Sequence, residues 1–460
     1  MSKWRIGIRM SLAQNIKKTI NYSKKNGYGE AVVAAWERVT AKYYADYDYH
    51  APSEEILAGQ RADKNVSDIK FSILVPAYET QAVYMNALIE SCVAQTYANW
   101  ELVIADGSEK NAVRDLVSQY QDARIRYVRL EGNNGIAENT NQAIASATGD
   151  YYGLLDHDDM LTPDALYEMA HAIQKSRPIL AYSDEDKCDM SGKHFYDPHF
   201  KLDFNLDLLL TNNYICHFMT VRADVLKKLQ IRKEYDGSQD YDIILRIVSN
   251  LLIKEKERKE AKPIEKSIVH VPKVLYHWRC HENSTADNPQ SKMYAYEAGK
   301  KALIDFASRM GWKVDVRHNK HLGFYRIEYG DSILTHRPDL AAVGGFVAKH
   351  GKVVSGIYQG QPLLYAGYMN RMDLYQNTNW LDMRNMAVNK AYQSVYEEVT
   401  GHSYISTLST EKKELPQWMQ ELCRTAEGDK KLMELGEKLC ARLTEDGARL
   451  LLDPVCVRKM

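Results

Sequence analysis

The sequence lacks the features that mark several broad classes of protein. None of the seven cysteines among its 460 residues stands in a Cys-x-x-Cys pair, so neither a zinc knuckle nor a disulfide framework is indicated. Scattered cysteines fit a reducing compartment. No apolar run approaches the roughly 18 residues that span a bilayer, and residues 1–10 do not form a signal-peptide core. We therefore expect a cytoplasmic protein.

The chain also lacks an excess of charge of either sign. Its formal net charge is -1, with 45% hydrophobic and 26% charged residues, which predicts a globular protein with a sizeable core. Binding to a phosphate backbone needs a concentrated cationic face. The composition therefore gives no indication of a nucleic-acid partner.

Residues 1–68 are interpreted as a basic helical extension. Apolar residues recur at helical spacing from Trp4 to Tyr44, with lysines interleaved. We favour helices that pack on the main domain. The alternative is peripheral contact with anionic lipid at the inner face of the membrane.

From Phe71 onward, predicted strands alternate with predicted helices. The apolar run Phe71–Val75 is the first strand, and the last of this series is Tyr151–Leu155. Such alternation predicts an α/β fold with a mainly parallel sheet, whose ligand lies beyond the carboxyl ends of the strands. A nucleotidyltransferase would carry a glycine-rich, basic loop after its first strand. Residues 75–79 contain neither glycine nor lysine, which argues against that class.

The string Leu154-Leu155-Asp156-His157-Asp158-Asp159 places three carboxylates directly after an apolar strand. Their mutual repulsion is most simply offset by a divalent cation. Oxygen ligands suit Mg²⁺ or Mn²⁺, which can bridge the two phosphates of a nucleotide. The alternative is an acidic N-cap for the following helix.

Two earlier strand ends should open onto the same edge of the sheet. They are Val75-Pro76-Ala77-Tyr78-Glu79 and Ala105-Asp106-Gly107-Ser108. The first can line a flat base, and Asp106 can accept hydrogen bonds from a base N–H. Each taken alone is equally typical of an ordinary turn with an aspartate cap.

In this order, the strings resemble the family 2 inverting glycosyltransferases of the GT-A fold. The resemblance also rests on Asn134-Gly135-Ile136-Ala137 and covers roughly residues 69–330. It implies a D-x-D motif in which Asp158 binds the metal and Asp156 contacts the ribose or a metal-bound water. It further implies that five residues hold the nucleotide, namely Pro76, Ala77, Tyr78, Glu79 and Asp106.

Inversion requires a carboxylate that takes the proton of the attacking hydroxyl group. Asp240 is our candidate, because Gly237-Ser238-Gln239-Asp240-Tyr241-Asp242 resembles the Glu-Asp motif of the family, with Gln239 in the Glu position. Asp242 is a weaker alternative. The structural interpretation is a carboxylate at a helix N-terminus.

Two further strings supply candidates for metal and substrate contacts. In Tyr276-His277-Trp278-Arg279-Cys280-His281, we predict His277 as a metal ligand with His281 second, Arg279 on the diphosphate and Trp278 on the sugar. Tyr182-Ser183-Asp184-Glu185-Asp186-Lys187 resembles a stretch of polysaccharide-type and rhamnosyl-type members. There we expect Asp186 to face the acceptor or sugar, the alternative being a charged turn.

Residues 331–460 resemble the later half of a second glycosyltransferase domain that lacks a donor site. For the whole chain, the resemblance implies a metal-dependent hexosyltransferase that uses a UDP- or dTDP-sugar. The expected acceptor is a glycan or a lipid-linked glycan of a cell-surface polysaccharide. The alternative is an inactive glycan-binding scaffold, and the presence of both Asp158 and Asp240 argues against it.

Overall fold

A computed structural model describes residues 47–66, 69–257, 264–280, 293–318, 322–329 and 336–337, with strands between 340 and 362 and at 449–459. The chain divides into two compact units, Met1–Asp48 and Tyr49–Met460. The helices predicted between residues 4 and 44 lie outside the described residues.

A nine-stranded mixed sheet forms the centre of the second unit, in the order β3-β2-β1-β4-β8-β6-β9-β5 with β7 paired to β6. β1 to β4 are parallel, β8 runs against both β4 and β6, and β9 is parallel to β6. The strands are β1 (Phe71–Ala77), β2 (Trp100–Asp106), β3 (Ile125–Arg129), β4 (Tyr151–Leu154), β5 (Met160–Leu161), β6 (Leu180–Cys188), β7 (Phe195–His199), β8 (Met219–Arg222) and β9 (Ile268–Arg279). This mixed, mostly parallel sheet has the GT-A architecture that the motifs predicted.

Helices connect the strands. They are α1 (Glu54–Ala62), α2 (Ala82–Val93), α3 (Ala112–Val117), α4 (Ile136–Ser146), α5 (Ala165–Ser176), α6 (Leu206–Leu209), α7 (Ala223–Leu229), α8 (Gln239–Glu257), α9 (Ile264–Ser267) and α10 (Met293–Arg309). A hairpin of β10 (Val314–His318) and β11 (Tyr325–Tyr329) follows.

Apolar side chains cover both faces of the central strands. Ile73 and Val75 of β1 belong to one hydrophobic cluster, and Leu74, which lies between them, belongs to another. In β2, Val103 and Ile104 divide between the two clusters in the same way. Because successive side chains of a strand point to opposite faces, a sheet buried on both sides requires such continuous apolar runs. This explains why the runs were recognisable in the sequence.

Residues 49–66 belong to the second unit, although the sequence boundary was placed at 68. Within them, the side chain of Gln60 on α1 accepts a hydrogen bond from Thr96 and donates one to Glu168, and Asp63 accepts one from Tyr167. Contacts with α5 and the loop after α2 therefore tie this segment to the sheet. The predicted domain boundary at residue 68 stays a prediction.

The C-terminal strands form a separate three-stranded sheet. β12 (Leu340–Lys349) pairs parallel with the last strand (Arg449–Lys459) and antiparallel with Lys352–Ser355. Residues 363–448, which carry most of the predicted degenerate domain, lie outside the described residues. Just before this sheet, buried Arg337 donates to the Asp207 carboxylate at 2.6 Å.

A buried carboxylate joins the amino-terminal ends of the parallel strands. Glu101 accepts hydrogen bonds from Ser72 and Thr148, and its other oxygen lies 3.2 Å from Arg126 and 3.6 Å from Lys70. Burial alone would raise the pKa of Glu101, but these donors hold it at about 2. The charged form of Glu101 therefore stabilises the fold.

We expect Glu101→Gln to lower the free energy of unfolding by about 2 kcal/mol at neutral pH. Because the folded pKa is depressed, this stabilisation is complete above the ordinary pKa of 4.5. It is lost as pH falls through the folded value of about 2. Urea unfolding from neutral pH downward should therefore show the two proteins converging. Glu55→Gln, at an exposed site, is the control. An equal loss in both variants, or a loss that does not depend on pH, would contradict this account.

Candidate active site

The loops after β1 and β2 lie side by side, as the motifs predicted. Ala77 pairs with Asp106 in the sheet, and the Gly107 N–H donates to the Ala77 carbonyl oxygen at 3.0 Å. Pro76 is half-buried and Ala77 buried, whereas Tyr78 is exposed. A base could meet Tyr78 at this edge, and the nucleotide contacts assigned to Pro76, Ala77 and Tyr78 stay predictions.

Glu79 joins these two loops. Its φ of 47° lies in the left-handed region, and its N–H donates to the Ser108 hydroxyl oxygen at 2.7 Å. Its carboxylate accepts from the N–H groups of Glu109 and Lys110 at 3.0 and 3.3 Å. The contacts shown are therefore structural, and a role in holding the nucleotide stays a prediction.

Asp106 is fully buried beneath the same loops. One carboxylate oxygen accepts from the N–H and hydroxyl of Ser108, at 2.9 and 2.5 Å, and the other accepts from the Tyr127 hydroxyl at 2.7 Å. A base could reach this carboxylate only if Tyr127 or Ser108 moved. The predicted base contact is thus untested, and Asp106 fixes the loop in the structure shown.

The acidic string leaves the sheet at the end of β4, between the loop after β1 and strand β9. Asp156, His157 and Asp158 are half-buried, while Asp159 is buried. Asp159 accepts from the Tyr276 hydroxyl and from the Arg279 N–H. Burial, together with the charges of Asp158 and Asp156, raises the pKa of Asp159 well above its usual range. Asp159 therefore anchors the string from behind.

Burial also raises the pKa of Asp156, and the nearby charges of Asp158 and Asp240 raise it further. The imidazoles of His217 and His157 act in the opposite direction. These terms place all five groups within electrostatic range. The structure thus brings together the D-x-D carboxylates and the predicted base.

Asp240 is half-buried in the first turn of α8. Its Oδ2 atom accepts a hydrogen bond from the Asn213 amide at 2.7 Å and one from the Cys216 thiol at 2.9 Å. Gln239, which occupies the Glu position of the motif, accepts from the Gly237 N–H instead of pointing to the cleft.

The alternative assignment of Asp242 as the general base is wrong. Its side chain is buried in ion pairs with Arg232 and Arg246. Asp242 follows Asp240 by two residues in α8, so the two side chains lie on different faces of the helix. Both oxygens of Asp242 accept hydrogen bonds from the two arginines.

Arg279 contacts the protein backbone in this structure, and its predicted contact with a diphosphate stays a prediction. The side chain is 1% exposed, and its Nε and Nη1 atoms donate to the carbonyl oxygens of Asp158 and Met190 at 2.6 and 2.8 Å. Its guanidinium also lies over the ring of Tyr84. Arg279 therefore clamps the backbone of the acidic string.

His277 is buried on β9 between Tyr276 and Trp278. Its neighbours in sequence, Tyr276 and Trp278, both contact His217, whereas the His277 ring packs on Phe195 and pairs with Asp186 at 2.5 Å. Because side chains alternate along a strand, the His277 ring faces away from both neighbours. The role of His277 as a metal ligand stays a prediction, and His281 lies outside the described residues.

The acidic segment 182–187 lies inside β6, so it is not the charged turn that was the alternative. Asp184 pairs with His270, Glu185 with Lys201, and Asp186 with His277. All three carboxylates are buried. The Asp186 carboxylate is thus used inside the fold, and its predicted contact with acceptor or sugar stays a prediction.

Sequence reasoning missed the loop between α6 and β8. Asn213, Cys216 and His217 are half-buried and surround Asp240 and Asp156. The His217 ring stacks on Tyr276 at 4.7 Å and lies 5.9 Å from the half-buried ring of Trp278. The only signal in the sequence was a polar string, 211–213, followed by Cys216 and His217. The sugar contact predicted for Trp278 stays a prediction.

Within the described residues, no group of three or more His, Cys, Asp or Glu side chains is arranged as a complete metal site. The described helices also include none that is both long enough and apolar enough to cross a bilayer.

Residues 72–230 match the family model "Glycosyl transferase family 2". This segment is therefore similar to family 2 glycosyltransferases. The match includes the loops after β1 and β2 and the acidic string, and it ends before Asp240. Assignment of a role to Asp240 therefore rests on its position in the cleft.

Three curated proteins are similar to this chain. Uncharacterized protein y4gI of Sinorhizobium fredii is 39% identical over 52% of this chain and 25% of that protein. O-antigen biosynthesis protein RfbC of Myxococcus xanthus is 30% identical over 62% of this chain and 22% of that protein. The colanic acid biosynthesis glycosyl transferase WcaA of Escherichia coli, named as putative, is 30% identical over 38% of this chain and 65% of that protein. The chain thus spans about a quarter of the first two relatives.

We predict that Arg279→Lys weakens the fold before it affects any ligand. Lysine cannot donate to two separate carbonyl oxygens from fixed positions, so the free energy of unfolding should fall by about 2 kcal/mol. Chemical denaturation without nucleotide measures this loss. Arg114→Lys, at an exposed ion pair, should change it by less than about 0.5 kcal/mol. A variant with unchanged stability but weaker nucleotide binding would instead favour the diphosphate role.

Proposed function

We propose that this domain is an inverting glycosyltransferase that moves a sugar from a nucleotide diphosphate donor to a hydroxyl group of an acceptor. The observation that carries the proposal is that three half-buried carboxylates, those of Asp156, Asp158 and Asp240, lie within electrostatic range of one another. Such crowding of carboxylates is disfavoured unless something offsets it. A cation bound to the diphosphate would offset the charge of Asp156 and Asp158. The proton of the acceptor hydroxyl would offset the charge of Asp240.

The donor would enter at the carboxyl ends of β1, β2 and β4. The exposed Tyr78 ring offers a face for the base. Asp156 and Asp158 would then contact the ribose and the diphosphate. The acidic string, residues 156–159, contains no arginine or lysine. The Arg279 side chain donates to backbone carbonyl oxygens. Neutralisation of the leaving group therefore needs another source of positive charge.

A divalent ion, Mg²⁺ or Mn²⁺, suits this need. When bound, it would neutralise the charge that develops on the leaving diphosphate. Asp158, with Asp156 through water, would hold it. Two carboxylates are a sufficient protein contribution, because these ions commonly complete their coordination with substrate phosphates and water.

Asp240 would act as the general base. Its Oδ2 atom is held by two donors, so the carboxylate plane is fixed before substrate binds. Oδ1 receives no hydrogen bond from the residues that the structure describes. That oxygen can accept the proton of the acceptor hydroxyl as its oxygen attacks the anomeric carbon. A single displacement of this kind inverts the configuration.

The names of two relatives refer to O-antigen and colanic acid biosynthesis. We therefore propose that the acceptor is a glycan or lipid-linked glycan of a cell-surface polysaccharide. A membrane-bound acceptor would also suit peripheral contact with the inner membrane surface. A non-catalytic scaffold is the less suitable alternative. Such a protein would have no need for a carboxylate held by two hydrogen-bond donors at position 240.

Stabilisation by nucleotides tests the donor site. We expect one of a panel of UDP, dTDP and their sugars to raise the melting temperature only when Mn²⁺ or Mg²⁺ is present. At about a hundred times its Kd, such a ligand adds about 2.7 kcal/mol. Asp158→Ala should lose this shift. If no nucleotide stabilises the protein with either metal, the glycosyltransferase proposal fails and the scaffold is favoured.

Asp240→Asn is the matched variant in the same panel. It should keep the nucleotide-dependent shift, because Asp240 does not hold the donor, but should release nucleoside diphosphate from the donor about 10²- to 10⁴-fold more slowly. Asp115→Asn, an exposed carboxylate on α3, controls for loss of charge. Wild-type turnover in Asp240→Asn would remove the base assignment while leaving the donor site intact.

A further inference from the structure

Two donors from one loop meet at a single oxygen of Asp240. The Asn213 Nδ2 atom lies 2.7 Å from Oδ2, and the Cys216 Sγ atom lies 2.9 Å from it. Burial raises the pKa of the Cys216 thiol well above its usual range, as do the charges of Asp240 and Glu185. The thiol therefore keeps its proton and donates a hydrogen bond to the carboxylate. Neither residue belongs to the motifs of the sequence analysis.

The orientation of Asn213 indicates that it serves Asp240. A carboxylate only accepts, so the amide nitrogen must face it. The amide oxygen is consequently buried and has no partner among the described residues. An unsatisfied buried acceptor costs free energy. The fold tolerates this cost in order to direct an N–H at Asp240.

The backbone around Cys216 is fixed by a buried cation. Lys201, which is 2% exposed, donates to the carbonyl oxygen of Ile215 at 3.1 Å and to that of His217. These carbonyls flank Cys216 on both sides. Lys201 in turn pairs with Glu185 at 3.3 Å. Because burial, which raises the pKa of Glu185, is outweighed by Lys201 and the neighbouring imidazoles, that carboxyl group stays charged.

We propose that Asn213 and Cys216 are positioning residues for the base, held in place by the Lys201–Glu185 pair. Both donors occupy Oδ2, so they direct Oδ1 toward the acceptor hydroxyl and keep the carboxylate from rotating. This inference rests on the proposed role of Asp240. The hydrogen bonds from Asn213 and Cys216 to Asp240 can, however, be tested without a substrate.

Turnover tests the positioning role. The assay is release of nucleoside diphosphate, with water as acceptor, from the UDP- or dTDP-sugar that the wild type uses. Cys216→Ala should lower kcat about tenfold with KM unchanged, and Cys216→Ser should recover most of it because the hydroxyl still donates. Asn213→Ala should likewise lower kcat with KM unchanged. Since the two donors share one oxygen, their effects should not add.

Cys92→Ala is the matched control, because Cys92 is a buried thiol on α2 with no carboxylate partner among its recorded contacts. It should leave kcat unchanged. The proposal is overturned if Cys216→Ala and Cys216→Ser lower kcat equally, or if either changes only the melting temperature.

Alkylation tests the contact without any sugar donor. Iodoacetamide should modify Cys216 several-fold faster in Asp240→Asn than in the wild type, because removing the charge increases the thiolate fraction. The half-buried Cys280, followed by mass spectrometry in the same digest, should react equally in both proteins. Unchanged alkylation of Cys216 overturns the contact. Faster alkylation without turnover of any nucleotide sugar by the wild type overturns the proposed function instead.

Discussion

Repulsion among the carboxylates of Asp156, Asp158 and Asp240 is the constraint on which the site depends. Burial and these neighbouring charges raise the pKa of Asp156, so its surroundings disfavour the ionised form of Asp156. A folded chain keeps such an arrangement only if other contacts hold it in place or if a ligand relieves it. The structure supplies the first condition, and the proposed donor supplies the second. The fold is thus strained electrostatically in the place where a diphosphate and a cation would be neutralised together.

The contacts that hold the site lie behind it and are themselves charged. Arg279 and Tyr276 fix the acidic string through its backbone and through Asp159. Lys201 and Glu185 fix the loop that carries the donors to Asp240. Both sets are buried, so they keep their geometry whether or not a ligand is bound. The half-buried carboxylates face the cleft, and the fully buried ones stabilise its walls.

The sequence predicted the parallel half of the sheet well, because strands buried on both faces must be apolar throughout. It also predicted that the loops after β1 and β2 would meet, since parallel strands end at one edge. It failed where the face of an element decides the role. His277 and Arg279 follow Tyr276 by one and three residues. Neither spacing shows that the His277 imidazole pairs with Asp186 or that the Arg279 guanidinium donates to backbone carbonyl oxygens. His217 and Cys216 join the cleft through contacts with distant residues, which no local pattern encodes. Burial of Asp184, Glu185 and Asp186 likewise depends on partners in other strands.

The central claim is that Asp240 and the acidic string act on opposite sides of one donor sugar. Proton NMR of the reaction mixture, recorded before the product anomers equilibrate, tests this most directly. With an α-linked nucleotide sugar as donor, the account predicts that the first product formed by the wild type is the β anomer, and that Asp240→Asn forms it far more slowly. Formation of the α anomer as the first product would contradict a single displacement assisted by Asp240.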